Sequence, residues 1–227
     1  MNETSKYSST DECVEGVHFD MAVTDSKYIN PMRMHYKRRG HHLIWDFAHE
    51  YDSVSVLLYH LEKKELLLVK QFRPPVFIHA IREMSENFGK SLSEIEWSKY
   101  PIHFGETLEL CAGLMDKPGT STLDHIHQEI LEECGYNVPL NLIEPIKRYV
   151  TGVSTSGSMQ HLFYAEINES MRASDGGGNP TEGEFITKIF MKPEEAAKFR
   201  SDLNIAISPP SLLFALTWWL HERRPFL

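Results

Sequence analysis

Apolar positions run along this chain mostly as short clusters, and recur with period 3.6 over one clear stretch. Ser53–Tyr59 and Glu65–Gln71 are rich in Val and Leu and are separated by the polar stretch HLEKK, which predicts a β-hairpin. Upstream, extended runs are expected at Val17–Val23 and Arg33–Phe47. The basic turn Lys37-Arg38-Arg39-Gly40 reads as a hairpin tip, and residues 1–15 as a polar, frayed terminus. Residues 85–105 read as a polar insertion ended by Pro101 and Gly105. Thr107–Cys111 predicts a strand entering Gly113. Leu123, Ile126, Ile130, Leu131 and Cys134 then mark one face of a helix, capped at Thr120 or Ser121 and ended by Gly135. Strands are expected at Leu142–Val150, Met159–Ile167 and Phe185–Met191, with SDGGGNPTEGE (174–184) as a flexible loop. Pro193 and Pro210 open two helices, the second rich in Leu, Phe and Trp and packed on the sheet. The fold class is α+β: a mixed sheet between helices, with an N-terminal strand extension over 1–47 and the main domain over 48–227.

The chain of 227 residues is 41% apolar, enough for a sizeable core without staples. Its 23 basic and 32 acidic residues give a net charge of −9, which argues against nucleic acid as the partner. No apolar run reaches the ~18 residues that a membrane helix needs. The polar start MNETSKYSSTDE has no signal-peptide core, and Cys13, Cys111 and Cys134 form no CxxC pair. The cytoplasm is therefore the expected compartment, with no membrane partner.

The chemistry concentrates in the helix. Glu129, Glu132 and Glu133 lie three and four residues apart, on neighbouring faces. Like charges at these offsets repel by about a few tenths of a kcal/mol, and two of the acids sit at the helix end that disfavours negative charge. One reading is a solvated acidic face. The other is a cation that compensates, and all-oxygen ligands select Mg²⁺, or Mn²⁺. His125 and His127 point ~200° apart on a helix and read as surface or core-edge residues. Cys111 and Cys134 read as small buried thiols, and Trp218 and Trp219 as core or interface.

The stretch QEILEECGY (128–136) resembles the Nudix box, whose core is R-E-U-x-E-E-x-G-U with U a large apolar residue. Glu129 takes the first Glu, Glu132 and Glu133 the pair, Gly135 the glycine and Gly113 the opening glycine. Gln128 stands where the box has Arg, the segment from Gly113 to Gly135 is one residue longer than the standard box, and Gly119 and Thr120 occupy the region of its upstream Glu. With VLLYHLEKKELLLVKQFRPPVF (56–77) and LELCAGLMDKPG (108–119), the resemblance narrows to the ADP-ribose and UDP-sugar pyrophosphatase branch, over roughly residues 45–220.

That resemblance implies an α/β/α Nudix sandwich, a homodimer built with N-terminal strands, and Mg²⁺-dependent hydrolysis of a nucleoside diphosphate sugar. The reaction it implies takes UDP-glucose to UMP and glucose 1-phosphate. Alternatives are hydrolysis of ADP-ribose to AMP and ribose 5-phosphate, or a protein that binds nucleotide sugars without cleaving them. The resemblance makes the Ala112 carbonyl a metal ligand beside Glu129, Glu132 and Glu133. It places Arg73 on the substrate phosphates and Glu109 near the substrate. It also gives Glu182 or Glu184, in the glycine-rich loop, the role of base or metal contact.

Overall fold

The computed structural model describes residues 12–20, 23–203 and 207–224. Strands β3 (Ser53–His60) and β4 (Glu65–Phe72) form the expected hairpin, pairing over Leu58↔Leu67 to His60↔Glu65. They belong to a seven-stranded mixed sheet with β5 (Glu106–Glu109), β6 (Cys111–Leu114), β7 (Glu144–Val150), β8 (Met159–Ile167) and β9 (Thr187–Met191). Strand β8 runs parallel to β3 in register from Ser53↔Gln160 to His60↔Ile167, and the other pairs are antiparallel. Alternation in β3 and β4 sends side chains to both faces, and both are covered. Val54, Val56, Leu58 and Val69 meet Ile126, Ile130 and Cys134 on one side. Leu57, Tyr59, Leu66 and Leu68 meet Leu212, Leu216 and Trp219 on the other. The expected α/β/α layering is thus present, and Trp219 is core.

One break in this sheet makes room for a site. The strand expected over Thr107–Cys111 is interrupted at Leu110. Its first half, β5, pairs with β4, and its continuation, β6, pairs with the first half of β3 at Ser53–Val56. Both β4 and β6 therefore bond β3, at opposite ends, and they diverge.

The helices are α1 (Pro74–Arg82), α2 (Thr122–Glu129), α3 (Pro193–Ser201) and α4 (Pro210–Glu222). Helix α1 was not expected. Pro74 and Pro75 fill its first positions and hold Arg73 extended at φ −117°, so the chain leaves β4 and turns straight into the helix. The 85–105 stretch is not a loose insertion either. It folds into short 3₁₀ turns that bury Ile95, Trp97 and Tyr100 against Phe77 and Ile81. Val14 and Phe19 pack on the same cluster, and the Ile102 amide donates to the Glu12 carbonyl, so residues 12–15 are tied down where a frayed end was expected. No strand forms at Val17–Val23 among the described residues; positions 21 and 22, like 1–11, lie outside them.

Strands β1 (Asn30–Arg38) and β2 (His41–His49) form a separate two-stranded hairpin. Its tip is Arg39-Gly40, with φ of 51° and 83°, the left-handed pair that a two-residue hairpin loop requires. The hairpin is rooted by the Ala48 amide on the Thr155 carbonyl (2.7 Å) and by Trp45 Nε1 on the Ser154 carbonyl (3.1 Å).

Candidate active site

Helix α2 opens as expected: Ser121 Oγ accepts from the Asp124 amide. Its end differs. Ile130–Cys134 winds as a π-turn before Gly135 closes it in the left-handed conformation at φ 81°. A wider turn re-aims the side chains that follow, and here those are Glu132 and Glu133. Ile126, Ile130 and Cys134 are buried as the apolar face requires.

The π-turn is clamped by the glycine loop. The Gly177 amide donates to the Glu133 carbonyl (2.9 Å), Gly178 to that of Glu132 (3.2 Å), and Ala173 to that of Gly135 (2.8 Å). The loop expected to be flexible is therefore bonded along its first third to the helix end. Gly135 and Gly176 are both needed for this approach. A Cβ on Gly135 would lie 2.4 Å from the Ser174 carbonyl oxygen, and one on Gly176 2.5 Å from that of Glu133.

A cleft of about 670 Å³ opens where β4 and β6 part. Its walls bring together Arg73 from the junction of β4 and α1, Glu109 from β5, Ala112 and Gly113 from β6, Glu129 and Glu132 from the end of α2 and its π-turn, and Glu182 and Glu184 from the glycine loop. Glu133 stands behind the wall. It is fully buried, its Oε2 accepts from the Ala112 amide at 3.1 Å, and its Oε1 has no partner. Gly113 lets Glu129 lie against β6: a Cβ there would fall 2.1 Å from Glu129 Oε1. Among the described residues, no three His, Cys, Asp or Glu side chains stand in a ready-made metal cluster.

The electrostatics are those of crowded acids. Burial raises the Glu129 carboxyl to about 7, with Glu132 and Glu184 adding to the rise. Burial also drives Glu133 well above the ordinary carboxylate range, reinforced by Glu184 and Glu129. Glu184 is raised as well, by burial first. An orphaned buried oxygen among acids that resist ionising is a donor set suited to a hard divalent cation.

Arg73 and Glu109 form a two-pronged pair at 2.8 and 2.7 Å, and that contact raises the Arg73 pKa. The cleft also holds residues that the sequence reading did not select: Lys27, Tyr28, Ser53, Ser55, Gln160 and Ser211. Lys27 reaches Asp116 at 3.8 Å. For the serines there was a signal: Ser53 and Ser55 alternate inside β3, whose other residues are built for burial. His125 is buried, with Nδ1 against the Ser121 carbonyl, and His127 meets Asn137; neither joins the cleft. Cys111 and Cys134 are buried and free.

The chain is similar to known proteins over most of its length. The chain is 35% identical over 217 residues to the uridine diphosphate glucose pyrophosphatase NUDT14 of Bos taurus, covering 92% of this chain and 95% of that one. It is 32% identical over 225 residues to the protein of the same name from Mus musculus, covering 95% and 98%. A GDP-mannose pyrophosphatase of Cronobacter sakazakii is 27% identical over 183 residues, covering 81% and 75%. No family model matches the chain.

Proposed function

Because this chain belongs to the Nudix hydrolases, we propose that it cleaves the pyrophosphate bond of a nucleoside diphosphate sugar, taking UDP-glucose and water to UMP and glucose 1-phosphate. The observation that carries this reading is the gathering of Glu129, Glu132, Glu182, Glu184 and Arg73 in one cleft, in a chain that aligns with UDP-glucose pyrophosphatases over nearly its whole length.

Glu129, Glu132 and Glu133, with the Ala112 carbonyl, would hold the divalent cation, Mg²⁺ before Mn²⁺. When bound, such an ion neutralises diphosphate charge and makes a bound water acidic enough to attack at neutral pH. Arg73 grips the phosphates with the guanidinium edge that Glu109 leaves free, and stabilises the charge that builds on them. Glu184 is the better placed of the two loop acids to take the water's proton. It is half-buried and its carboxyl is raised toward neutrality, which suits a general base. Glu182 lies beside it on the same loop.

We further propose that the enzyme works as a homodimer in the cytoplasm. The β1–β2 register places Met32, Met34 and Tyr36 opposite Phe47, Trp45 and Leu43, on one face of the hairpin. Met32, Met34 and Trp45 are each about half exposed (51%, 52% and 51%), a stripe that a second copy would cover. The buried, unbridged Cys111 and Cys134 fit a reducing compartment.

The test is a substrate panel with product analysis by NMR, using UDP-glucose, ADP-ribose and GDP-mannose with Mg²⁺. UDP-glucose should give UMP and glucose 1-phosphate with the highest kcat/KM. A clear preference for ADP-ribose would reassign the substrate, and binding without turnover would make the protein a sensor. Sedimentation of a chain lacking residues 1–47 tests the dimer: a soluble, fully active monomer would refute it.

A further inference from the structure

We propose that Ser53, Ser55, Gln160 and Ser211, backed by Tyr149, form the subsite that holds the uncharged sugar ring of the substrate. The proposal rests on the nucleotide-sugar reading above and assigns one end of the cleft to one end of that molecule.

The four side chains come from three places in the sequence and meet on one face of the sheet. Ser53 and Ser55 lie two apart in β3, so they share a face with Leu57 and Tyr59, the face that α4 covers. Ser53 is in register with Gln160 of β8, and Gln160 with Tyr149 of β7, so a polar row crosses adjacent strands. Gln160 Nε2 donates to Ser53 Oγ at 3.3 Å, and the Tyr149 hydroxyl donates to Gln160 Oε1 at 2.7 Å. The opening turn of α4, with Pro209 and Ser211, closes this end of the cleft, and no side chain caps that turn.

One group here lacks a partner. Ser55 is 1% exposed, lines the cleft, and its hydroxyl makes no hydrogen bond. The Tyr149 phenol gives its one proton to Gln160 and has Ser55 and Ser211 as neighbours, but no hydrogen bond of ordinary geometry forms to Ser55. A buried hydroxyl left open in a strand that otherwise carries Val and Leu costs stability, and a ligand that bonds it removes the cost.

The chemistry of this end selects what it holds. Its side chains are hydroxyls and an amide, which both donate and accept, as the hydroxyls of a sugar ring do. Among the described residues of the cleft, the cations Lys27, Arg73 and Lys117 are on other segments, so a phosphate has no charged partner in this row. Among the described residues of the cleft the one aromatic lining side chain is Tyr28, which is on another segment. The row also adjoins the reacting centre. Ser55 is directly across β3–β6 from Ala112, one strand spacing of ~4.8 Å away, and the Ala112 amide already binds Glu133.

The test measures ligand binding by calorimetry, on the full-length protein with Mg²⁺, for wild type, Ser55→Ala and Gln160→Ala. The ligands are glucose 1-phosphate, UMP and inorganic phosphate. Losing one neutral hydrogen bond should weaken glucose 1-phosphate about 5- to 10-fold in each variant, with UMP and inorganic phosphate held within about twofold. Ser55→Ala loses no bond of the free protein, so its Tm should be equal or higher, which separates a binding effect from misfolding. Equal weakening of inorganic phosphate would make the row a phosphate site. Weakening of UMP in place of glucose 1-phosphate would make it the nucleoside site. Unchanged affinity for all three would leave it without a ligand. Each of these results overturns the proposal. Turnover of UDP-glucose by wild type is scored separately, so failure of the parent reading and failure of the subsite are told apart.

Discussion

Glu109 binds Arg73 through both carboxylate oxygens, and the same carboxylate takes the Thr107 hydroxyl at 2.5 Å and the Gln71 amide at 3.5 Å. With its side chain 7% exposed and so many donors on it, Glu109 is committed to fixing Arg73 in place. Arg73→Lys keeps the charge and loses the fork, so KM for UDP-glucose should rise about tenfold. Glu109→Gln should raise KM in the same direction, by releasing the guanidinium. A KM for Arg73→Lys equal to that of wild type would assign the arginine to structure.

Glu133→Gln keeps the shape and the Ala112 contact but removes a charge. Turnover with saturating Mg²⁺ should fall at least about 10²-fold. Added Mg²⁺ should raise the Tm of wild type and raise that of the variant less, because a ligand that binds only the folded state stabilises it. An unchanged kcat would show that this carboxylate face is not the site.

Gly113→Ala places a methyl where Glu129 Oε1 now lies, 2.1 Å from the new carbon. Glu129 must swing away toward the cleft, which is open, so the main loss is positional. We expect kcat to drop about tenfold or more with a Tm change of only a few degrees. Full activity in this variant would mean that the position of Glu129 is unimportant.

In the metal-free protein the Glu129 carboxyl should cost less stability as the pH falls from about 7 to about 4.5. Burial pushes the Glu129 carboxyl of the folded chain up to about 7, above the ordinary carboxylate value of 4.5. Between those two values the folded state binds more protons than the unfolded one, so raising the pH through this window weakens the fold. Tm measured in EDTA for wild type and for Glu129→Gln isolates the term: the difference between them should shrink toward low pH. A difference independent of pH would contradict the assignment.

The parts of this molecule that repeat along the chain were legible in its sequence. The Val- and Leu-rich runs 53–59 and 65–71 and the 3.6-residue spacing from Leu123 to Cys134 located the hairpin and the helix, because each pattern reports directly on buried residues. What escaped depends on partners distant in sequence. Leu110 looks like any strand residue, yet the chain changes partners there, from β4 to β3, and opens the cleft. Trp97 sits in a polar stretch and is buried by Phe77, twenty positions earlier, so no local period marks it. The candidate acids were found as types and spacings. That Glu133 would be buried behind the wall that Glu129 and Glu132 line, on a helix that ends in a π-turn, is announced by no residue pattern here.

The glycine loop is bonded at both of its ends. Gly177 gives its amide to the helix end and its carbonyl to the Ile186 amide (2.9 Å), so the segment between them leaves and returns at a single residue. Inside it, the Asn179 carbonyl accepts from Glu182 and Glu184 amides, which makes the tip a small unit of its own. The Gly178 amide on the Glu132 carbonyl makes this pin two residues wide. Glu182 and Glu184 would travel together over the cleft, and the amides at the pin would exchange with solvent as slowly as those of the helix to which they are fastened.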